Sequence, residues 1–248
     1  MHPVFIEIFG WPIYWYGVLT AIGFLAAVAN WSYLSRRDGR AKGLGSEIGI
    51  WGMAGGILGA RVAYIIANWS DYAQTPLEII RIDKGGLIYY GGFIGGSLAI
   101  ILLARFRREP LWSFADFVVT SVPLGHALGR IGCFLNGCCF GKDCELPWAV
   151  YHDQANRHPT PLYETAFNLA VYVILLWLYG RKQRRNGTVL GLYLLLYPVG
   201  RFFFEFTRGD DRMRWMGLTV AQEISVGLFI AGGILWILLP DKRIKSNG

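Results

Sequence analysis

Seven long apolar blocks run along this chain, at about 12–34, 46–69, 86–105, 111–135, 160–180, 188–206 and 218–239. Each is close to the roughly 20 residues that an α-helix needs to cross a hydrocarbon core. Short polar connections separate them, with none long enough to divide two domains. The pattern predicts an all-α integral membrane protein whose residues 1–248 form a single multi-pass transmembrane domain. Only Met1 to Trp11 precede the first block, with no basic segment, so that block reads as a retained helix and not a cleaved signal. Segments 70–85 and 136–159 are the stretches that could fold into small caps outside the bilayer.

Charge orients the blocks. Alternate connections carry Arg36, Arg37, Arg40, Lys42, then Arg105, Arg107, Arg108, then Arg181, Lys182, Arg184, Arg185, and finally Lys242, Arg243, Lys245. The other side carries Arg81, Lys84, Lys142, Arg157, Arg208, Arg212 and Arg214, fourteen basic residues against seven. The positive-inside rule then places the N-terminus outside and the C-terminus in the cytoplasm. Trp11, Trp15, Trp69, Trp148 and Trp215 would mark the outer interface, and Trp112 and Trp177 the inner one. With 54% hydrophobic and 17% charged residues, the net charge of +7 reflects this clustering and calls for no nucleic acid.

Polar residues inside the blocks are the candidates for chemistry. Arg130 lies within the fourth block, where a charge is costly and usually faces a partner or a water-filled cavity. Gly125, Gly129 and Gly132 thin one side of its helix, so a backbone or a lipid headgroup can approach. Arg130 and Arg201 each stand five residues from the outer end of their block, and Tyr90 and Tyr16 stand four residues into theirs. At about 1.5 Å per residue, all four lie roughly 6–8 Å below the outer boundary. Tyr197, Arg201, Glu205 and Arg208 follow at steps of four, four and three and share one helical face. Two readings are open for the arginines: pairing with neighbouring acids, or clamping an anion with Glu205 as orienter. The second points to a phospholipid phosphate, since a guanidinium fork matches phosphate oxygens while the acyl chains stay in lipid. Arg61 reads as structural, paired with Glu164 or Asp116. Gly52, Gly55, Gly56 and Gly59, with Gly91, Gly92, Gly95 and Gly96, read as close helix-packing faces.

Cys133, Cys138, Cys139 and Cys144 are spaced C-x4-C-C-x4-C, which is no familiar zinc spacing, and adjacent cysteines rarely share one ion. No metal and no cofactor are expected, and a disulfide with three connectivities is open. His126 falls one turn from Arg130 on the same face. His158-Pro159 reads as the start of the fifth helix.

Six segments in order resemble the prolipoprotein diacylglyceryl transferase family. They are Tyr14-Trp15-Tyr16-Gly17, Gly59-Ala60-Arg61, Gly85-Gly86-Leu87-Ile88-Tyr89-Tyr90-Gly91-Gly92, Gly129-Arg130-Ile131-Gly132 with Asn136-Gly137, His158-Pro159-Thr160-Pro161-Leu162-Tyr163-Glu164, and Tyr197-Pro198-Val199-Gly200-Arg201. The resemblance implies a seven-helix enzyme of the bacterial plasma (inner) membrane with its site facing the outer leaflet. It would move the diacylglyceryl group of phosphatidylglycerol to the lipobox cysteine of prolipoprotein signal peptides and release glycerol 1-phosphate. Arg130 and Arg201 match the family's essential arginines, and Tyr16, Asn136, Gly141, Tyr197 and Glu205 fall on other motif positions. The chain departs from the commonest family form in having Tyr90 for a histidine, Cys133 for an asparagine and Cys138 for a glutamate. Tyr90 is therefore taken as a catalytic hydrogen-bond donor, with His126 the competing base. The alternative function is a non-catalytic membrane protein that binds or moves anionic phospholipid.

Overall fold

The computed structural model describes residues 3–73, 78–79, 81, 85–181, 184–209, 214–215 and 217–239. Lys84, Lys182, Arg212, Lys242, Arg243 and Lys245, which entered the charge count, lie outside the described residues. The elements in order are β1 (Val4–Ile8), β2 (Trp11–Tyr14), α1 (Trp15–Arg37), α2 (Leu44–Ala67), α3 (Trp69–Tyr72), α4 (Tyr89–Phe106), α5 (Leu111–Val119) and α6 (Val122–Leu135). They continue with β3 (Val150–His152), β4 (Ala155–Arg157), α7 (Thr160–Tyr179), α8 (Thr188–Thr207), β5 (Arg214–Trp215), β6 (Leu218–Thr219) and α9 (Val220–Leu238).

Among the described residues, seven helical segments are long and apolar enough to cross a membrane, with α5 and α6 together making the fourth. Their large apolar side chains point outward: Ile66 is 70% and Ile237 81% exposed. In water such a surface would be an aggregation liability, whereas in a bilayer it is the solvated one. Each predicted block holds a helix, with two corrections. Residues 12–14 are strand, because Trp11–Tyr14 pairs antiparallel with Val4–Ile8 across Phe9 and Gly10, both at positive φ. The segment before the first helix is thus a hairpin, and the helix starts at Trp15. The fourth block is broken between Val119 and Val122, where Thr120 turns its hydroxyl back to the Phe117 carbonyl.

Two compact units divide the chain: Met1–Asn30 with Ala115–Gly248, and Trp31–Phe114. In the second unit, α2 and α4 meet through glycine. A Cβ on Gly55, Gly59, Gly91 or Gly95 would overlap backbone or Cβ atoms of the opposing helix, so the predicted packing faces are real. Arg61 is also structural, but with other partners than expected. It donates to the carbonyls of Glu78 at 2.6 Å, Ile79 at 3.0 Å, Gly85 at 3.1 Å and Gly86 at 3.3 Å, tying the segment after α2 to its helix. Carbonyls freed by an irregular loop are the acceptors a buried guanidinium can saturate.

In the first unit, Asp116 is fully buried and accepts from the backbone N–H groups of Gly187 at 2.8 Å and Leu190 at 2.9 Å. It caps α8 from another helix, which a carboxylate does well at the positive end of the dipole. Thr219 and Gln222 form a reciprocal capping box that starts α9. Pro198 sits inside α8, one turn before Arg201, and cannot donate a helical hydrogen bond there. Segment 136–159 does fold into a cap, with β3 and β4 as a hairpin and Trp148 donating to the Tyr163 hydroxyl of α7 at 2.7 Å. A third hairpin, β5 with β6, was not legible beforehand.

Candidate active site

The first unit gathers α6, α7 and α8 around a cluster of arginines and glutamates. On α6, Arg130 points its Nε at Glu164 of α7, 2.8 Å from Oε2. The same Nε lies 3.3 Å from His126 Nε2 one turn earlier. A guanidinium can only donate, so that histidine nitrogen accepts and carries no proton in this arrangement. Glu164 is 2% exposed, and its other oxygen lies 3.6 Å from Nη1 of Arg208, the residue that follows α8, without a hydrogen bond. Arg130 thus pairs with a neighbouring helix's acid. It does so through one nitrogen, and neither of its terminal amino groups makes a hydrogen bond among the described residues.

Arg201 and Glu205 pair as their i, i+4 spacing predicts, at 2.7 Å, although Arg201 Nη1 is off the line a hydrogen bond requires. Glu205 is held from the far side by the Thr219 hydroxyl, which donates to Oε1 at 2.8 Å. The cap residue of α9 therefore also holds the carboxylate that meets Arg201. Tyr197 stacks on Tyr193 at 5.4 Å between ring centroids and leans on His126 at 5.6 Å. Thr165 of α7 donates to the Ala127 carbonyl of α6 at 3.2 Å, fixing the two helices in phase.

The glycines of α6 divide in use. A Cβ on Gly132 would stand 3.1 Å from Tyr16 Cα, so α1 closes on α6 there, and Gly23 approaches the Gly125 carbonyl in the same manner. Gly129 has open space where a Cβ would go, so of the two approaches read for this face no described backbone makes one there. Tyr16 and Asn136 line a common pocket of about 430 Å³ with Ile13, Tyr14 and Gly17. Gly141 is buried where a Cβ would overlap the Thr207 carbonyl and crowd Thr160 and His158, and its N–H donates to the His158 carbonyl at 2.8 Å. Its visible work is to seat the cap against α7 and α8. Tyr90 belongs to the Trp31–Phe114 unit, on the first turn of α4, half exposed with its ring edge against Tyr89.

All four cysteines are free thiols. Cys133, Cys138 and Cys139 nevertheless cluster. Outside the spans, the Cys139 thiol is pulled well below its ordinary pKa by a hydrogen bond from Cys133, then by Cys138 and by the Arg208 guanidinium. Sequence reasoning missed two things here: Glu164 as the partner of Arg130, and Thr219 as the support of Glu205. Glu164 was visible in its motif, but only the rotation of α7 against α6 selects its partner.

The sequence pattern described as Prolipoprotein diacylglyceryl transferase matches residues 3–238. A phosphatidylglycerol–prolipoprotein diacylglyceryl transferase of Clostridium tetani is 38% identical over 94% of this chain and 95% of its own length. One from Trichormus variabilis is 37% identical over 98% of the chain and 92% of its own. Another from Finegoldia magna is 32% identical over 100% of the chain and 99% of its own.

Proposed function

The chain belongs to the prolipoprotein diacylglyceryl transferase family, and from that premise we propose how its arginine cluster carries the reaction. The protein is a transferase of lipoprotein biosynthesis, and its substrates are phosphatidylglycerol and a prolipoprotein. In finer terms, the thiol of a lipobox cysteine attacks the glyceryl carbon of phosphatidylglycerol that carries the phosphate ester. A C–S bond forms, the C–O bond to phosphate breaks, and glycerol 1-phosphate leaves. The thiol's proton passes to water or to the departing phosphate. The site opens to the outer leaflet of the bacterial plasma membrane, as the basic asymmetry of the connections favours.

The observation that carries this reading is the posture of Arg130. Glu164 and His126 hold it through Nε, so the two terminal amino groups are left to grip phosphate oxygens. Charge on the phosphate grows as the ester bond breaks, and donors already aimed at it stabilise the transition state without reorganising. Arg201, oriented by Glu205 and through it by Thr219, supplies the second guanidinium. Tyr16 and Asn136 contact the headgroup from their shared pocket, and Tyr197 packs the floor beside His126. Tyr90, which stands where the commonest family form has a histidine, keeps the role of hydrogen-bond donor to the headgroup that its depth in the third block suggests.

The test is direct. Purified protein, given phosphatidylglycerol vesicles and a lipobox peptide, should release glycerol phosphate in step with thioether formation. Lipid binding without release would replace the transferase with a lipid carrier.

A further inference from the structure

The thiols of Cys133, Cys138 and Cys139 lie within 4.8 Å of one another, and the path of the chain explains why. Cys133 sits on the last turn of α6, whose end is marked by Gly137 at φ 75°. The chain then folds back so that the Cys138 N–H donates to the Cys133 carbonyl at 3.1 Å. Two adjacent cysteines in extended backbone would point to opposite sides, the usual reason they do not share an ion. Cys139 is instead at φ 67°, a left-handed conformation that is costly for a residue with a Cβ. Its sulfur comes to 3.4 Å from that of Cys138, on the same side of the chain. Phe140 then anchors the turn, stacked on His152 at 4.4 Å and packed on Phe134.

We propose that Cys133, Cys138 and Cys139 form a three-thiolate site for one thiophilic divalent cation of the zinc class, with a fourth position left for water or an added thiol. Four sulfurs at about 2.3 Å around zinc stand about 3.8 Å apart, between the 3.4 Å of Cys138 and Cys139 and the 4.8 Å that bounds the cluster, so only small shifts are needed. Sulfur donors select such an ion over magnesium or calcium, which take oxygen. Three thiolates around a divalent ion carry a net negative charge, and the surroundings already answer it. Arg208 hydrogen-bonds the Cys139 sulfur, and Arg130 acts on Cys133 and Cys139 electrostatically. Three sulfurs within 4.8 Å of one another also suit an ion better than a disulfide, which would leave one thiol over. Cys133 is buried and the other two are half-buried, which shelters the site while leaving it reachable. The expectation of no metal rested on spacing alone, and the left-handed Cys139 removes its premise.

The test reads the metal and not turnover, so it stands or falls apart from the transfer reaction. The whole chain in detergent, reduced, chelated and freed of both reagents under nitrogen, is titrated with Co²⁺ and then Zn²⁺. A thiolate-to-cobalt charge-transfer band should saturate at one ion per chain and vanish on adding zinc. Cys138→Ser should weaken binding at least tenfold and Cys144→Ser should leave it unchanged. On the unmutated chain, Zn²⁺ should protect three cysteines from iodoacetamide, counted by mass spectrometry, and leave Cys144 open. Absence of the band, protection that includes Cys144, or an internal disulfide with no bound ion in protein purified without reductant would overturn the site.

Discussion

Glu164→Gln separates the two jobs assigned to the buried glutamate. The substitution keeps the shape and keeps an oxygen for Arg130 Nε, but it removes the charge from a carboxylate that is 2% exposed and 2.8 Å from that guanidinium. On the scale of polar contacts, one to a charged group contributes about 1.5–3 kcal/mol and one to a neutral group about 0.5–1.5 kcal/mol, which bounds what this ion pair loses when its charge is removed. The orientation of Arg130 thus weakens by about 1–1.5 kcal/mol, worth roughly tenfold in rate if it acts only in the transition state. The same change leaves one more uncompensated positive charge. At about 10 Å and an effective dielectric near 20, that charge attracts an anion by roughly 1.7 kcal/mol, again close to tenfold. Initial rates against phosphatidylglycerol, with the peptide held saturating, should show kcat and KM for the lipid both falling about tenfold. Glu164→Ala removes the acceptor as well, and a broken buried pair costs about 3–5 kcal/mol, so that variant should also lose thermal stability in detergent. An unchanged kcat in Glu164→Gln, or a raised KM, would refute the account of Arg130 as an aimed clamp.

Arg130→Lys and Arg201→Lys should each lower turnover a hundredfold or more while the protein still inserts, because a point charge cannot reproduce the fork. Near-normal turnover in either, measured as glycerol phosphate release, would remove the two-point grip. Tyr90→Phe should cost roughly ten- to a thousandfold, the scale of one positioned donor, and His126→Ala little, because Glu164 still holds Arg130 at Nε; normal Tyr90→Phe with inactive His126→Ala would move the base to His126. Single cysteines placed at 142–157 in an otherwise cysteine-substituted chain should label from outside intact cells, and those at 36–42 should not; external labelling at 36–42 would reverse the orientation. Gly59→Leu should lower the melting temperature by several degrees, since the side chain would meet the backbone of Gly91 and Gly95 and overpacking costs about 1–3 kcal/mol; an unshifted transition would mean that α2 and α4 separate freely.

What could be read in the sequence was what depends on one helix at a time. Span length, the Gly55 and Gly59 spacing, the Arg201–Glu205 step and the shared face of His126 and Arg130 are all fixed by the helical period. What escaped depends on two elements at once. The choice of Glu164 for Arg130 is set by the phase of α7 against α6, which Thr165 locks through the Ala127 carbonyl. The reach of Arg61 to Glu78 and Gly85 depends on a loop whose carbonyls have no periodic signal. Pro12–Tyr14, most of the second strand, was absorbed into the first apolar block because a short exposed strand beside a membrane helix is as apolar as the helix.

The pairing of Arg130 with Glu164 invites the simpler view that the arginine only neutralises an acid, and the geometry argues otherwise. A guanidinium whose task is to neutralise a buried carboxylate gains most by presenting two parallel N–H groups to both oxygens. Arg130 touches one oxygen of Glu164, through the nitrogen nearest its own backbone. The second oxygen of Glu164 turns instead toward Arg208, too far for a hydrogen bond. Arg201 likewise meets Glu205 at a single point, while Glu205 spends its other oxygen on Thr219. Glu164 therefore holds Arg130 from behind, at Nε, while Glu205 takes one terminal amino group of Arg201, and most of each fork is left unspent. Two forks steadied in this way inside a lipid-facing helix bundle cost more than two closed ion pairs would. Such an expense is understandable where a phosphate completes the coordination and must be released once the reaction has run.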